Sequence, residues 1–148
     1  MYSRQEESLL RKQFWTSFGQ YLALVPSADG TKINWINYKT GIRFINFKMD
    51  AERGYAYVGI EISHTDPSKR YAYFDHFKTL WIDAGAEWIW EQDVTHNGKV
   101  ISRIYRRLEN INIYRQTDWP QIISFLKPGI TELDHFWVGH KEIFKMLG

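Results

Sequence analysis

The chain has 148 residues, of which 44% are hydrophobic and 24% charged, and this size and composition fit one globular domain over residues 1–148. Its 19 basic and 17 acidic residues give a net charge of +2, so total charge alone does not predict nucleic-acid binding. The absence of cysteine excludes disulfides, thiolate zinc sites and cysteine nucleophiles.

The first predicted element is an N-terminal helix over residues 4–24. Ser3 and Glu6 have capping-box spacing, and Pro26 follows the end of the periodic segment. Apolar residues recur between them at helical spacing, at Leu10, Phe14, Phe18, Tyr21, Leu22 and Val25. The sequence has no apolar run of signal-peptide or membrane-span length, so we expect a cytoplasmic protein without a membrane partner.

Three strands are predicted next, over residues 32–38, 41–50 and 55–63. All three segments are rich in aromatic and β-branched residues, and short connections join them. This order predicts an antiparallel meander. If Asp50 pairs with Tyr55 at the turn between the second and third strands, Phe44 lies opposite Glu61.

A second helix and a hairpin follow. Asp66 suits the N-cap position and Pro67 the first helical position. The segment from 87 to 108 contains two alternating runs joined by Asn97-Gly98, a dipeptide typical of a two-residue type I′ turn.

A last helical region is predicted over residues 118–147, with Thr117 as its cap and with Pro128-Gly129 kinking or dividing it. The complete order is a helix, three strands, a helix, a hairpin and one or two helices. This order indicates the α+β class, with a mainly antiparallel mixed sheet flanked by helices.

Several segments carry a family resemblance: "LRKQFWTSFGQYL", "INWINYKTGI", "VGIEISH", "EWIW" and "DWPQIISFLKP". Together they resemble the bacterial family catalogued as domain of unknown function 4268, over nearly the whole chain. No catalytic residue can be carried over from that family to this sequence. Because that family also occurs beside nuclease-like domains, it implies a role near nucleic-acid metabolism or defence.

The element order also resembles the restriction-endonuclease-like core, in which an Asp and a Glu-x-Lys on adjacent strands hold a divalent metal. Glu61 is the catalytic candidate that this comparison offers. The predicted register places Phe44 where the Asp is required, and Ser63 replaces the Lys. Since Mg²⁺ needs several hard oxygen ligands, we predict no metal site and interpret Glu61 as a paired or solvated strand carboxylate.

The second hairpin strand is basic and contains an aromatic residue. Counting outward from the Asn97-Gly98 turn places Trp88 and Trp90 of the first strand on one face of the hairpin. Arg103, Tyr105 and Arg107 of the second strand share that face. Positive charge beside aromatic rings is typical of single-stranded nucleic-acid binding. The candidate binding residues are Lys99, Arg103, Tyr105, Arg106, Arg107, Trp88 and Trp90.

A structural interpretation of the same cluster stays open. In it, Trp88 and Trp90 lie in the core under a helix, and the arginines pair with acidic residues of the neighbouring strand. The leading hypothesis is a non-catalytic α+β module that binds nucleic acid or a nuclease-type protein partner, without a cofactor. The alternatives are a divergent Mg²⁺-dependent nuclease and a protein-binding accessory domain or homodimer.

Overall fold

The computed structural model of the chain describes residues 2–81 and 87–147. Within these ranges three helices flank one four-stranded antiparallel sheet, which confirms the predicted α+β class. The elements are α1 (Arg4–Leu22), β1 (Ile45–Ala51), β2 (Arg53–Ile62), α2 (Pro67–Leu80), β3 (Ile89–His96), β4 (Lys99–Asn112), a 3₁₀ turn (Gln116–Asp118) and α3 (Trp119–Leu147). No helix in these ranges combines the length and apolar character needed to cross a membrane.

The sheet has the strand order β1-β2-β4-β3, and every neighbouring pair is antiparallel. Its central strand β2 buries one row of alternating residues, Ala56, Val58, Ile60 and Ile62, in a core shared with the helices. Because successive side chains of a strand point to opposite faces, the residues between them face away from this core.

Local signals predicted the starts of the first two helices correctly. Ser3 and Glu6 form the capping box at the start of α1. The Asp66 side chain accepts a hydrogen bond from the Ser68 backbone N–H, with Pro67 at the first helical position. These contacts satisfy backbone donors that the first helical turn leaves free.

The predicted strand over residues 32–38 is wrong, because this segment forms turns. The Asn34 side chain accepts hydrogen bonds from the backbone N–H groups of Ile36 and Asn37 at 3.1 Å each. Such local bonds compete with strand pairing. Trp35 is nevertheless buried, and its indole N–H donates a hydrogen bond to the Val25 carbonyl at 2.8 Å.

The predicted register of the β1–β2 hairpin is wrong by two residues. The Glu52 N–H donates to the Tyr55 carbonyl, so the hairpin turns more tightly than expected. Asn46 therefore lies opposite Glu61, and the Ser63 N–H donates a hydrogen bond to the Phe44 carbonyl. The position opposite Glu61 still lacks an Asp.

The last helical region differs from its prediction in two respects. Thr117 lies within the 3₁₀ turn and does not cap α3. The helix α3 continues through Pro128 to Leu147, so the predicted division is wrong. Its buried face, which includes Leu126 and Ile130, packs in the core. Such tertiary packing outweighs the roughly 3 kcal/mol that an interior proline costs an isolated helix.

Candidate functional site

The sheet face that points away from the core, called the open face, carries part of the predicted basic cluster. Most of the residues that it presents, from all four strands, are polar or aromatic. By register the residues of this face include Asn46, Lys48, Asp50, Tyr55, Tyr57, Gly59, Glu61, Ile89, Glu91, Arg103, Tyr105, Arg107 and Glu109.

The β3–β4 hairpin has the predicted turn but a different register beyond it. Asn97 and Gly98 both have positive φ angles, of 51° and 77°, as a type I′ turn requires. Further along, Glu91 lies opposite Arg103 while Val94 lies opposite Ile101, so β3 contains one extra residue. This β-bulge shifts the pairing by one residue and reverses the side-chain faces beyond it.

The bulge removes both predicted tryptophans from the open face. Trp88 is buried, and its indole N–H donates to the Glu132 carboxylate of α3 at 3.0 Å. Trp90 packs edge-on against Phe74, with ring centroids 5.9 Å apart. The expectation that Trp88 and Trp90 share a face with Tyr105 is therefore wrong.

Arg106 also lies on the helix side of the sheet. Its guanidinium is 4.2 Å from the centroid of the Trp88 ring and pairs with Glu132 at 2.7 Å. Lys99 is exposed at the start of β4, next to the turn. The open face thus retains Arg103, Tyr105 and Arg107 of the predicted binding set.

A buried arginine of α2 holds the bulge in place. The Arg70 side chain donates to the Asp93 carboxylate at 2.8 Å and to the His64 carbonyl at 2.7 Å. Asp93 itself has a φ of 54°, and its N–H donates to the Ser102 hydroxyl at 3.1 Å. These contacts fix which side chains of β3 reach the open face.

The open face contains a cleft of about 280 Å³, referred to as the sheet cleft. All its lining residues in the described ranges belong to the strands or to the β3–β4 turn, and none belongs to a helix. They include Lys48, Asp50, Tyr55, Tyr57, Glu61, Arg103 and Arg107. Sequence analysis missed the contribution of Lys48, Tyr55 and Tyr57, because only the register brings them beside the basic strand.

Tyrosine rings and arginines pack together on this face. The rings of Tyr57 and Tyr105 are stacked, with centroids 5.1 Å apart and an interplanar angle of 24°. Arg107 lies 3.9 Å from the centroid of Tyr55, and Arg103 lies 4.7 Å from that of Tyr105. Cation–π contacts of this kind hold a guanidinium flat beside a ring.

The charges on the open face are only partly balanced. Arg103 pairs with Glu91 at 2.6 Å, and Arg107 pairs with Glu109 at 2.5 Å. Partial burial lowers the pKa of Arg103, but the bond to Glu91 and its charge raise that pKa more, so the guanidinium stays charged. Within residues 2–81 and 87–147, Lys48 and Glu61 form no ion pair.

The geometry around Glu61 does not reproduce a nuclease metal site. Asp50, the other acid of the cleft, lies opposite Tyr57, four residues from Glu61 along the strand, or about 13 Å. Asp50 also contacts Arg11, with the two charged groups 3.5 Å apart. No three His, Asp or Glu side chains of the described ranges come together as metal ligands.

The Tyr57 side chain is the least satisfied group of the cleft. Tyr57 is 8% exposed, and its hydroxyl has no hydrogen-bond partner in the part of the chain that the structure describes. Burial and then the Glu61 carboxylate raise its pKa, so the hydroxyl keeps its proton at neutral pH. A buried hydroxyl without a partner is costly, and such groups often mark functional positions.

We expect Tyr57→Phe to leave the free energy of unfolding unchanged or to raise it by up to about 1 kcal/mol, because it removes an unsatisfied buried hydroxyl. Urea unfolding followed by tryptophan fluorescence measures this. The matched control is Tyr38→Phe, which removes a hydroxyl that donates to Asp134 at 2.5 Å and should lower stability by about 1 to 2 kcal/mol. A loss in Tyr57→Phe as large as in the control would contradict the structure around Tyr57.

Comparison with known proteins gives one match. The family model described as "Domain of unknown function (DUF4268)" matches residues 10–141, so the chain belongs to this family, as the sequence resemblance indicated. No curated protein and no solved structure matches the chain.

Proposed function

We propose that this member of the DUF4268 family binds single-stranded nucleic acid on the open face of its sheet, without cleaving it. The observation that carries the proposal is the cleft lined by Tyr55, Tyr57, Arg103 and Arg107, which no helix of the described ranges lines. Tyr57 and Tyr105 stack on each other and are each 8% exposed, so Tyr55 is the more accessible ring of the three. Aromatic side chains on a sheet stack with unpaired bases, and adjacent cations neutralise phosphates.

The ion pairs on this face are compatible with such binding. The Arg107 side chain is 41% exposed, and its partner Glu109 is 60% exposed. Exposed ion pairs contribute only about 0 to 1 kcal/mol, so a phosphate can replace the carboxylate at little cost. Lys48, which is exposed and forms no ion pair within the described ranges, adds a third cation to the cleft.

The binding partner and the assembly state remain predictions. A duplex would not reach the stacking rings, because its bases are paired and stacked on one another. A homodimer or a nuclease-type protein partner on the same face would compete with nucleic acid for it. The binding experiment below separates these possibilities.

We expect the protein to bind a fluorescein-labelled twelve-nucleotide oligothymidylate at low salt, with an affinity that falls as salt concentration rises. The double substitution Arg103→Ala with Arg107→Ala should weaken binding and lower the slope of log K against log salt by about one to two units, since each phosphate contact contributes about 0.7 in a single strand. Fluorescence anisotropy at several salt concentrations measures both effects.

A matched control removes two positive charges elsewhere. Lys12 and Lys69 are exposed on α1 and α2 and do not line the sheet cleft, so the double change Lys12→Ala with Lys69→Ala should keep the slope. If the wild-type protein fails to bind the oligonucleotide at low salt, or if both double variants behave alike, the proposal is wrong. Sedimentation of the wild-type protein would then test the homodimer.

A further inference from the structure

A second cavity, called the arginine pocket, lies at the end of the sheet beside the paired residues Arg53 of β2 and Asn112 of β4. Its volume of about 790 Å³ is larger than that of the sheet cleft. Three parts of the chain that are distant in sequence meet there, namely the start of α1, the start of β2 and the segment after β4. The charged and aromatic residues that line it are Tyr2, Arg4, Glu7, Arg53, Tyr114 and Arg115.

The side chains that line the arginine pocket carry an excess of positive charge. Three guanidinium groups face one carboxylate, that of Glu7, which already pairs with Arg53. Arg4 is exposed and forms no ion pair within residues 2–81 and 87–147. The Arg115 side chain is 62% exposed, and its contact with Asp118 is long, at 3.4 Å. Arg4 and Arg115 can therefore bind an anion at the cost of one weak ion pair at most.

The arginine pocket also contains aromatic rings. Tyr2 is 48% exposed, so one face of its ring is open to a ligand. Tyr114 is partly buried, and the guanidinium carbons of Arg53 and Arg11 lie 5.2 and 6.0 Å from the centroid of its ring. Rings beside cations are the chemistry that single-stranded nucleic acid binds. The pocket thus repeats the chemistry of the sheet cleft with a more exposed ring.

The arginine pocket adjoins the sheet cleft. Arg53, which lines the pocket, and Tyr55, which lines the cleft, are two residues apart on β2. The Arg11 guanidinium connects the two walls again, because it lies 3.5 Å from Asp50 of the cleft and donates to the Tyr114 hydroxyl of the pocket at 3.4 Å. A ligand that leaves the cleft at Tyr55 therefore meets the pocket next.

The acidic side chains at this boundary are already paired with arginines. Arg11 contacts the carboxylates of Asp50 and Glu52, at 3.5 and 2.5 Å. Glu109, which lies opposite Tyr55, pairs with Arg107. The boundary therefore presents balanced charges to a phosphate backbone and not a row of free carboxylates.

We propose that the arginine pocket holds phosphate groups of the same strand that occupies the sheet cleft, so that the strand continues past Tyr55 round the end of the sheet. This continuation rests on the proposed function and extends its binding site. A guanidinium can bind a phosphate through two parallel N–H donors, and Arg4 and Arg115 are the arginines available for this. Because small phosphorylated molecules carry the same group, the test includes inorganic phosphate.

The experiment measures binding of the labelled twelve-nucleotide oligothymidylate to the double variant Arg4→Ala with Arg115→Ala, by fluorescence anisotropy at several salt concentrations. We expect binding to weaken by about threefold to tenfold at low salt and the salt slope to fall by about one to one and a half units, since two phosphate contacts are lost. Calorimetry should give one strand per protein molecule in the wild type. Inorganic phosphate should give no saturable binding.

Two control variants separate charge from structure. Lys12→Ala with Lys69→Ala removes the same charge outside both cavities and should keep the wild-type slope. Arg4→Lys with Arg115→Lys keeps the charge inside the pocket and should also keep most of the slope, because lysine neutralises a phosphate as well. A loss in this lysine variant as large as in the alanine variant would contradict a phosphate contact.

The remaining results separate the continuation from the proposed function. An unchanged slope in Arg4→Ala with Arg115→Ala overturns the continuation, while binding on the sheet stands. Two strands per wild-type molecule, or inorganic phosphate binding that this variant loses while it keeps the strand, would make the pocket a separate site and also overturn the continuation. A loss in this variant without a loss in Arg103→Ala with Arg107→Ala overturns the use of the sheet. Absence of strand binding to the wild type overturns both proposals.

Discussion

Replacement of Asp134 by alanine is expected to lower the free energy of unfolding by about 3 to 5 kcal/mol, because it leaves one buried and two partly buried donors without an acceptor. Asp134 lies on α3 and is 2% exposed. Its carboxylate accepts hydrogen bonds from the hydroxyls of Ser27 at 2.8 Å and Tyr38 at 2.5 Å, and from the Ala28 N–H at 2.8 Å. These bonds attach the irregular segment between α1 and β1 to α3.

Urea unfolding measures the effect, and Asp75→Ala is the matched control. Asp75 is an exposed aspartate on α2 whose carboxylate makes no hydrogen bond or ion pair in residues 2–81 and 87–147, so its loss should cost less than about 0.5 kcal/mol. Tyr38→Phe should show an intermediate loss. Equal stabilities of Asp134→Ala and Asp75→Ala would mean that this carboxylate does not hold the segment.

Sequence reasoning succeeded where a signal involves neighbouring residues. The capping box of Ser3 and Glu6, the Asp66-Pro67 helix start and the Asn97-Gly98 turn are each complete within a few residues. Such motifs satisfy their own backbone groups, and they form in many tertiary contexts. The α+β class follows from the order of these elements.

Sequence reasoning failed where register depends on distant contacts. The bulge at Asp93 is held by Arg70, which is 23 residues away in the chain and only 5% exposed. The only local sign is the polar run of residues 91–93, which interrupts the apolar alternation of the strand. One extra residue there moved Trp88 and Trp90 to the core, so the site depends on a residue outside the motif.

Only part of the residues on the open face could be predicted, because the pairing of the strands depends on distant contacts. Arg103, Tyr105 and Arg107 belong to one short stretch, and their alternation places them on one face whatever lies beside them. Tyr57 and Lys48 come from strands whose partners the sequence does not specify. A tight turn moved the β1–β2 pairing by two residues, which brought Lys48 opposite Gly59.

The position of the site also depends on the contact between α3 and β2, and Gly129 controls how close that contact can be. A Cβ atom added at Gly129 would lie 2.5 Å from Cγ1 and 3.2 Å from Cγ2 of Val58. Val58 is fully buried, and its branched side chain cannot move away within a closely packed core. Gly129 therefore allows α3 to lie directly on the strand that carries Tyr57.

We expect Gly129→Ala to lower the free energy of unfolding by about 2 to 3 kcal/mol, because overpacking outweighs the gain in helix propensity of about 1 kcal/mol. Val58→Ala alone should cost about 2 kcal/mol through the cavity it leaves. The double variant should lose at least about 1 kcal/mol less than the sum of the two, since the added methyl group fills the space that valine leaves.

The control lies in the same helix. A Cβ added at Gly139 would meet no atom within 4 Å in the described part of the chain, so Gly139→Ala should raise stability by about 0.5 to 1 kcal/mol. Opposite signs for the two glycine substitutions in α3 would show that Val58, and not helix propensity, determines the effect at Gly129. Additive losses in the Gly129→Ala, Val58→Ala double variant would instead show that the helix and the strand lie farther apart than the structure has them.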